Sequence, residues 1–175
     1  MDKILLHEIS FYYGYLNNIN NKRLIEHILK NGKKPSNEET DTINEDLEFK
    51  LTKDVEHIAF EINEHFRKIF NKDLKPTRFW SQVHLKNHST NTHDHLDRED
   101  VKNSPIWSAV YYLQCDEKSG YFCFQYSKNG INYDRWKIKP EVGKFIIFPS
   151  YIEHFVSRNL SNKKRIALSF NFSVK

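Results

Sequence analysis

Four histidines fall close together in this 175-residue chain, His84, His88, His93 and His95, and Asp97 follows the last of them. A fifth, His154, stands far downstream, just past the apolar run that ends at Pro149. Imidazoles and carboxylates are the side chains that hold transition metals, so what matters is which of these can meet. On an extended chain, residues two apart point to the same side. His95 and Asp97 would then converge while Leu96 turns toward the core. His154 on an adjacent antiparallel strand would add a second imidazole. Two imidazoles and one carboxylate on one face of a metal suit non-haem Fe(II), because three coordination positions stay open. An H-x-D pair is also common by chance, and its plainer reading is a surface turn with a hydrogen-bonded Asp. His7, His27, His57 and His65 belong to the N-terminal part, and those on helices sit between charged residues and are expected to face water.

Arg165 opens the stretch Arg165-Ile-Ala-Leu-Ser-Phe-Asn-Phe172. Alternation puts Ile166, Leu168, Phe170 and Phe172 on one face, and Arg165, Ala167, Ser169 and Asn171 on the other. A guanidinium on the inward face of a barrel is costly unless it meets an anion, and its planar fork fits a carboxylate. The plainer alternative is an exposed strand-end charge following Lys163-Lys164. Tyr111-Tyr112 lies on the strand after the histidine loop, where a phenol is placed to help hold the same anion.

The elements that must position these groups follow from the pattern of apolar residues. Leu24, Ile25, Ile28 and Leu29 recur at helical spacing over residues 21–30, and Asn31-Gly32 makes a C-terminal stop. Val55, Ile58, Ala59, Ile62, Phe66, Ile69 and Phe70 mark a longer helix, whose apolar face should cover a sheet. Residues 33–48 read as a polar loop. After Pro76 short aromatic and β-branched runs take over, and strands are expected at 80–85, 107–114, 121–126, 133–138, 144–148 and 165–172. Turn signals separate them at Lys118-Ser119-Gly120, Lys128-Asn129-Gly130 and residues 139–143. Many short strands with such turns indicate an antiparallel sandwich or barrel, a mainly β fold with supporting helices. One domain is expected: an N-terminal strand and helices over 1–76, packed on a β core over 77–175.

Composition removes other classes. Three Trp, nine Tyr and thirteen Phe supply a core, so the chain is not a disordered one. Its two cysteines, Cys115 and Cys123, cannot build a disulfide scaffold or a four-thiolate zinc site, and both read as reduced structural thiols. A net charge of +4 is too mild to announce a nucleic-acid binder, although it permits an acidic substrate. The longest apolar runs, such as Phe145-Ile146-Ile147-Phe148, are too short to span a bilayer, and Ile4-Leu5-Leu6 is no secretory signal. A cytoplasmic protein is expected.

The ordered set His95-x-Asp97, Tyr111-Tyr112-Leu113, Gly143-x4-Phe148-Pro149, His154 and Arg165-x3-Ser169-Phe170 resembles the 2-oxoglutarate- and Fe(II)-dependent oxygenases. The likeness is to the prolyl-hydroxylase-like branch and its small bacterial and phage-type members, and covers about residues 78–175. It implies a double-stranded β-helix, a distorted jelly roll. It also implies Fe(II) held by His95, Asp97 and His154, with 2-oxoglutarate and O2 as cosubstrates and ascorbate as an accessory reductant. Arg165 would pair with the distal carboxylate of 2-oxoglutarate, with Tyr112 as a second contact and Ser169 as a third. The implied activity is hydroxylation of an unactivated C–H bond, on a peptidyl residue such as proline or on a small molecule. Ala167 departs from the pattern, because many members carry Ser or Thr there. Some small members carry H-x-H instead, which here would make His93 and His95 the ligands and Asp97 an outer partner. The H-x-D register is preferred because a carboxylate lowers the charge of the site.

Two rival readings remain. His93-x-His95-x3-Glu99 with His154 resembles the two cupin motifs, and would give a metal-binding protein or dioxygenase using His93, His95, Glu99 and His154. Alternatively, His84, His88, His93 and His95 would surround a structural zinc in a non-enzymatic binding module. The sequence assigns no oligomeric state.

Overall fold

The structure is a computed structural model, which describes residues 9–34, 45–127 and 130–174. His7, the Ile4-Leu5-Leu6 run, most of the 33–48 loop and the Lys128-Asn129 turn lie outside the described residues. In chain order the elements are β1 (Tyr12–Tyr15), α1 (Asn21–Asn31), β2 (Glu45–Leu47), α2 (Lys53–Phe70), β3 (Leu74–His84) and a 3-10 turn (Val101–Asn103). These are followed by β4 (Trp107–Gln114), β5 (Phe122–Ser127), β6 (Tyr133–Ile138), β7 (Lys144–Pro149), β8 (His154–Val156) and β9 (Arg165–Val174).

Two antiparallel sheets result, one ordered β1-β7-β4-β9-β3-β2 and the other β6-β5-β8. The period-2 alternation of β4, β7 and β9 separates two cores. Ala109, Tyr111, Leu113, Phe145, Ile147, Ile166, Leu168, Phe170 and Phe172 meet the apolar faces of α1 and α2, including Leu24, Ile28, Val55, Ile58, Ile62 and Phe66. Val110, Tyr112, Ile146, Phe148 and Ala167 point the other way, against Phe122, Phe124 and Val156 of the smaller sheet. Fully burying each such large side chain contributes about 1.5–3 kcal/mol. This is the double-stranded β-helix, with the helices on the outer face of the larger sheet.

Local chemistry explains the ends of the elements. The Thr52 hydroxyl accepts from Val55 N–H at 3.4 Å to cap α2, and Asn71 closes that helix in the left-handed conformation. Gly120 has φ of 78° at the turn before β5, and a Cβ there would lie 2.4 Å from the Ser157 carbonyl, so only glycine fits. Three strands differ from the sequence expectation. β3 starts at Leu74, β2 forms where a loop is expected, and β8 is three residues long. Among the helical histidines, His57 is exposed as expected, but His27 and His65 are half-buried, and the His65 ring lies 5.0 Å from that of Phe145. No helix among the described residues is long and apolar enough to cross a membrane.

Candidate active site

The chain leaves the larger sheet at Pro149, turns through Ser150-Tyr151, and joins the smaller sheet at His154. That crossing buries the His154 ring between the sheets. Opposite it, His93 forms an isolated antiparallel bridge: His93 N–H donates to the His154 carbonyl at 3.0 Å, and His154 N–H to the His93 carbonyl at 2.8 Å. Two residues on, His95 N–H donates to the Ser150 carbonyl at 2.9 Å. The extended-chain rule therefore operates here, between His93 and His95. Their rings meet His154 at centroid distances of 4.4 and 4.8 Å, and one ligand atom from each of the three lies within 4.8 Å of the others.

Each ring is fixed in the tautomer a metal needs. His93 Nδ1 lies 2.8 Å from the Asn91 carbonyl, and His154 Nδ1 lies 2.9 Å from that of Ile152. His95 Nδ1 is 2.8 Å from both Ser108 Oγ and Asn171 Oδ1. With Nδ1–H donated to oxygen in all three, the Nε2 lone pairs face one another. Burial pushes the His95 imidazole down to about 4, and the charge of a protonated His93 adds to the effect. His154 is driven well below the usual histidine range by burial and then by the other two histidines. Both rings are neutral at neutral pH, as a ligand must be. Three converging imidazole nitrogens fit an Fe(II)-type ion with open positions, imidazole being a ligand for iron, nickel and zinc alike.

Asp97 is not in this cluster. Beyond His95 the chain turns, and Asp97 Oδ1 accepts the backbone N–H groups of Glu99 at 3.0 Å and Asp100 at 2.9 Å, leading into the 3-10 turn. Its own N–H donates to Ser104 Oγ at 2.9 Å. The carboxylate is held as a turn cap on the surface. Leu96, expected in the core, is 39% exposed instead. Asp94, whose side chain is mostly buried, is held in an ion pair with Arg98 at 2.6 Å. Glu99 is exposed and His84 and His88 are absent from the cluster, so neither the cupin set nor the four-histidine zinc set is assembled.

Arg165 does point inward, as alternation requires. It is fully buried, and Nε, Nη1 and Nη2 have no hydrogen-bond partner of proper geometry. Its guanidinium lies 5.3 Å from the centroid of the Tyr112 ring, whose hydroxyl is also buried and approaches Arg165 without forming a well-aligned hydrogen bond. Burial lifts the Tyr112 phenol to about 12, with the guanidinium charge opposing. A buried guanidinium with no well-formed acceptor is suited to pair with an anion. Between Arg165 and Asn171, which contacts His95, the inward face of β9 carries only the small Ala167 and Ser169. Ser169 and Gln82 line a small cavity together with all three clustered histidines. Tyr111 is on the other face, its hydroxyl donating to Asn21 Oδ1 at 3.0 Å.

The histidines open onto a polar groove of about 640 Å³, lined in part by Arg78, Trp80, Asn91, Asp94 and Asn171. A second, more apolar groove of about 670 Å³ adjoins it through Leu96, Asp97, Arg98 and Pro105, and carries Tyr12, Phe70, Ile106, Trp107 and Tyr151. Trp80 is buried 5.4 Å from the His95 ring and Trp107 is half-buried, whereas Trp136 is exposed. Sequence reasoning missed Ser108 and Asn91. Asn171 was visible in it only as a polar residue on the Arg165 face of β9.

Residues 78–171, more than half of the chain, match the family described as "Putative 2OG-Fe(II) oxygenase". No curated protein matches the sequence significantly. Among solved structures, a prolyl-4-hydroxylase from Pseudomonas putida is similar at 15% identity and a TM-score of 0.66, over 95% of this chain and 92% of that one. The viral collagen prolyl hydroxylase of Paramecium Bursaria Chlorella virus-1, solved with 2-oxoglutarate, is similar at 17% identity and a TM-score of 0.63, over 94% of each chain. HygX from Streptomyces hygroscopicus, solved with nickel, 2-oxoglutarate and hygromycin B, is similar at 12% identity and a TM-score of 0.66, over 94% of this chain and 83% of that one. At these identities the likenesses speak for the fold, and the family match speaks for the chemistry, with Fe(II), 2-oxoglutarate and O2 as its requirements. The chain belongs to the 2-oxoglutarate- and Fe(II)-dependent oxygenase family.

Proposed function

We propose that the protein is a hydroxylase that inserts one oxygen atom into an unactivated C–H bond, with His93, His95 and His154 as the metal ligands. The balanced reaction converts substrate, 2-oxoglutarate and O2 to hydroxylated substrate, succinate and CO2. When bound, Fe(II) and 2-oxoglutarate supply the oxidising chemistry. The protein's own residues orient and exclude. The three Nδ1 hydrogen bonds fix the ligand rings before metal arrives, Arg165 and Tyr112 hold the distal carboxylate, and Phe122, Phe148 and Val156 keep water from the space between the sheets. The observation that carries this reading is the buried, partnerless Arg165 on the same inward face as Asn171, the residue that orients His95.

A peptidyl substrate is favoured. The adjoining polar and apolar grooves together offer a long, mixed surface beside the histidines, which suits an extended chain better than a compact metabolite. Prolyl hydroxylases among the structural likenesses support the same choice. The test is succinate formation from 2-oxoglutarate with Fe(II) and ascorbate, comparing wild type with His154→Ala. Slow uncoupled turnover in the wild type and none in the variant is expected; equal rates would sink the ligand assignment.

A further inference from the structure

His84 lies directly opposite Arg165 in the β3–β9 register, so the two side chains leave the sheet on the same face. It is almost fully buried, and both ring nitrogens lack a hydrogen-bond partner. Its backbone, by contrast, is clamped, because the His84 carbonyl accepts from Asn159 Nδ2 at 3.0 Å. The imidazole beside a guanidinium must be neutral, and burial first and the Arg165 charge second push it down to about 3. A neutral imidazole carries one N–H donor. The β4–β9 register shifts between Tyr112 and Gln114, a bulge next to Tyr112, whose ring faces the Arg165 guanidinium.

We propose that His84 is a third recognition residue for the distal carboxylate of 2-oxoglutarate, donating a neutral N–H alongside Arg165 and Tyr112 and so selecting dicarboxylate over monocarboxylate 2-oxo acids. This rests on the cosubstrate reading above. An ionised carboxylate has about four lone-pair sites. Two donors of the Arg165 fork, the Tyr112 hydroxyl and the His84 N–H match that number, and one bound anion would satisfy buried polar atoms on three strands together. A purely structural buried histidine would have at least one nitrogen bonded within the protein, and this one has none.

The test uses full-length protein loaded with Ni(II), titrated calorimetrically with 2-oxoglutarate and with 2-oxobutyrate, which keeps the metal-binding head but lacks the distal carboxylate. His84→Leu is expected to weaken 2-oxoglutarate about 10- to 100-fold and to leave 2-oxobutyrate within about twofold, because one hydrogen bond to a charged group is lost. His84→Gln, which keeps an N–H donor, should recover most of the loss. Unchanged 2-oxoglutarate affinity in His84→Leu overturns the role of His84 while leaving the cosubstrate reading intact. A wild type that binds no 2-oxoglutarate overturns both. Should His84→Leu fail to fold, histidine ¹⁵N spectra of the zinc-loaded wild type decide: the His84 ring signals must shift on adding 2-oxoglutarate but not 2-oxobutyrate, and unmoved signals overturn the proposal.

Discussion

The two ends of the inter-sheet space are built in opposite ways. At the histidine end each of the three clustered rings has its Nδ1 already hydrogen-bonded, to Asn91, Ile152, Ser108 or Asn171. At the other end Arg165, Tyr112 and His84 leave all six of their side-chain polar atoms without a well-formed partner. The first region is preorganised by protein alone, so a metal finds its ligands oriented. The second offers buried donors that an anion would satisfy. A cosubstrate carrying a metal-chelating head and a distal carboxylate matches that division of labour, and each end should respond to mutation in its own way.

The largest expected effect breaks the incomplete end. Arg165→Met should lower 2-oxoglutarate affinity by about 100-fold or more, because the fork that meets the carboxylate is gone, while Ni(II) binding stays near wild type. Without cosubstrate the same variant should be no less stable, and more stable by about 1 kcal/mol or more, since an unpaired buried charge gives way to an apolar chain. For a protein of this size that corresponds to a rise of about 2–4 °C per kcal/mol in melting temperature. A variant that melts well below wild type would show that Arg165 has a structural partner.

Damage to the preorganised end should be milder and fall on the other ligand. Asn171→Ala removes one of two oxygens that orient His95 Nδ1, leaving Ser108 Oγ in place. Metal affinity should drop about 10-fold, the lower end of what outer hydrogen-bond partners contribute, measured by competition with a chelator. The affinity of the metal-saturated variant for 2-oxoglutarate should change little. Equal loss of both would mean that the two ends are one coupled network.

Much of this division is legible in residue types and spacing. β4 and β6 have the expected bounds, and the alternation along β9 assigns every residue from Arg165 to Phe172 to its observed face. β8 shows in the sequence only through the strand position expected for His154, because His-Phe-Val is too short for a period to register, and β2 does not show because Glu-Asp-Leu is polar and pairs only at the edge of the sheet. The histidine that joins His95 and His154 is His93, two positions before His95 where the H-x-D register looks two positions after it, for a related reason. The rule that residues two apart share a side holds only while the chain stays extended, and nothing local announces where extension stops. It holds from His93 to His95 because His93 pairs with His154, and it fails at Asp97 because backbone N–H groups of Glu99 and Asp100 bend the chain around that carboxylate. The cost of a buried Arg, by contrast, needs no pairing register to be read.

The smallest expected effect belongs to Asp97 and separates the two registers directly. Its carboxylate accepts two backbone hydrogen bonds and lines both grooves, yet lies outside the histidine cluster. Asp97→Ala should cost about 1 kcal/mol of stability, as loss of a comparable helix-capping side chain does. Metal affinity and uncoupled succinate formation should stay within about threefold of wild type. Asp97→Asn, whose amide oxygen still accepts from the turn, should restore the stability. A carboxylate that bound the ion would behave otherwise: Ala and Asn would both abolish metal binding, and the chelator competition that detects a tenfold loss in Asn171→Ala would register a far larger one here. Three neutral nitrogens also leave the dication's charge to be balanced by the incoming cosubstrate dianion alone. Metal should therefore be held more tightly when 2-oxoglutarate is present; that mutual tightening should persist undiminished in Asp97→Ala, and in Arg165→Met it should persist but require about 100-fold more 2-oxoglutarate.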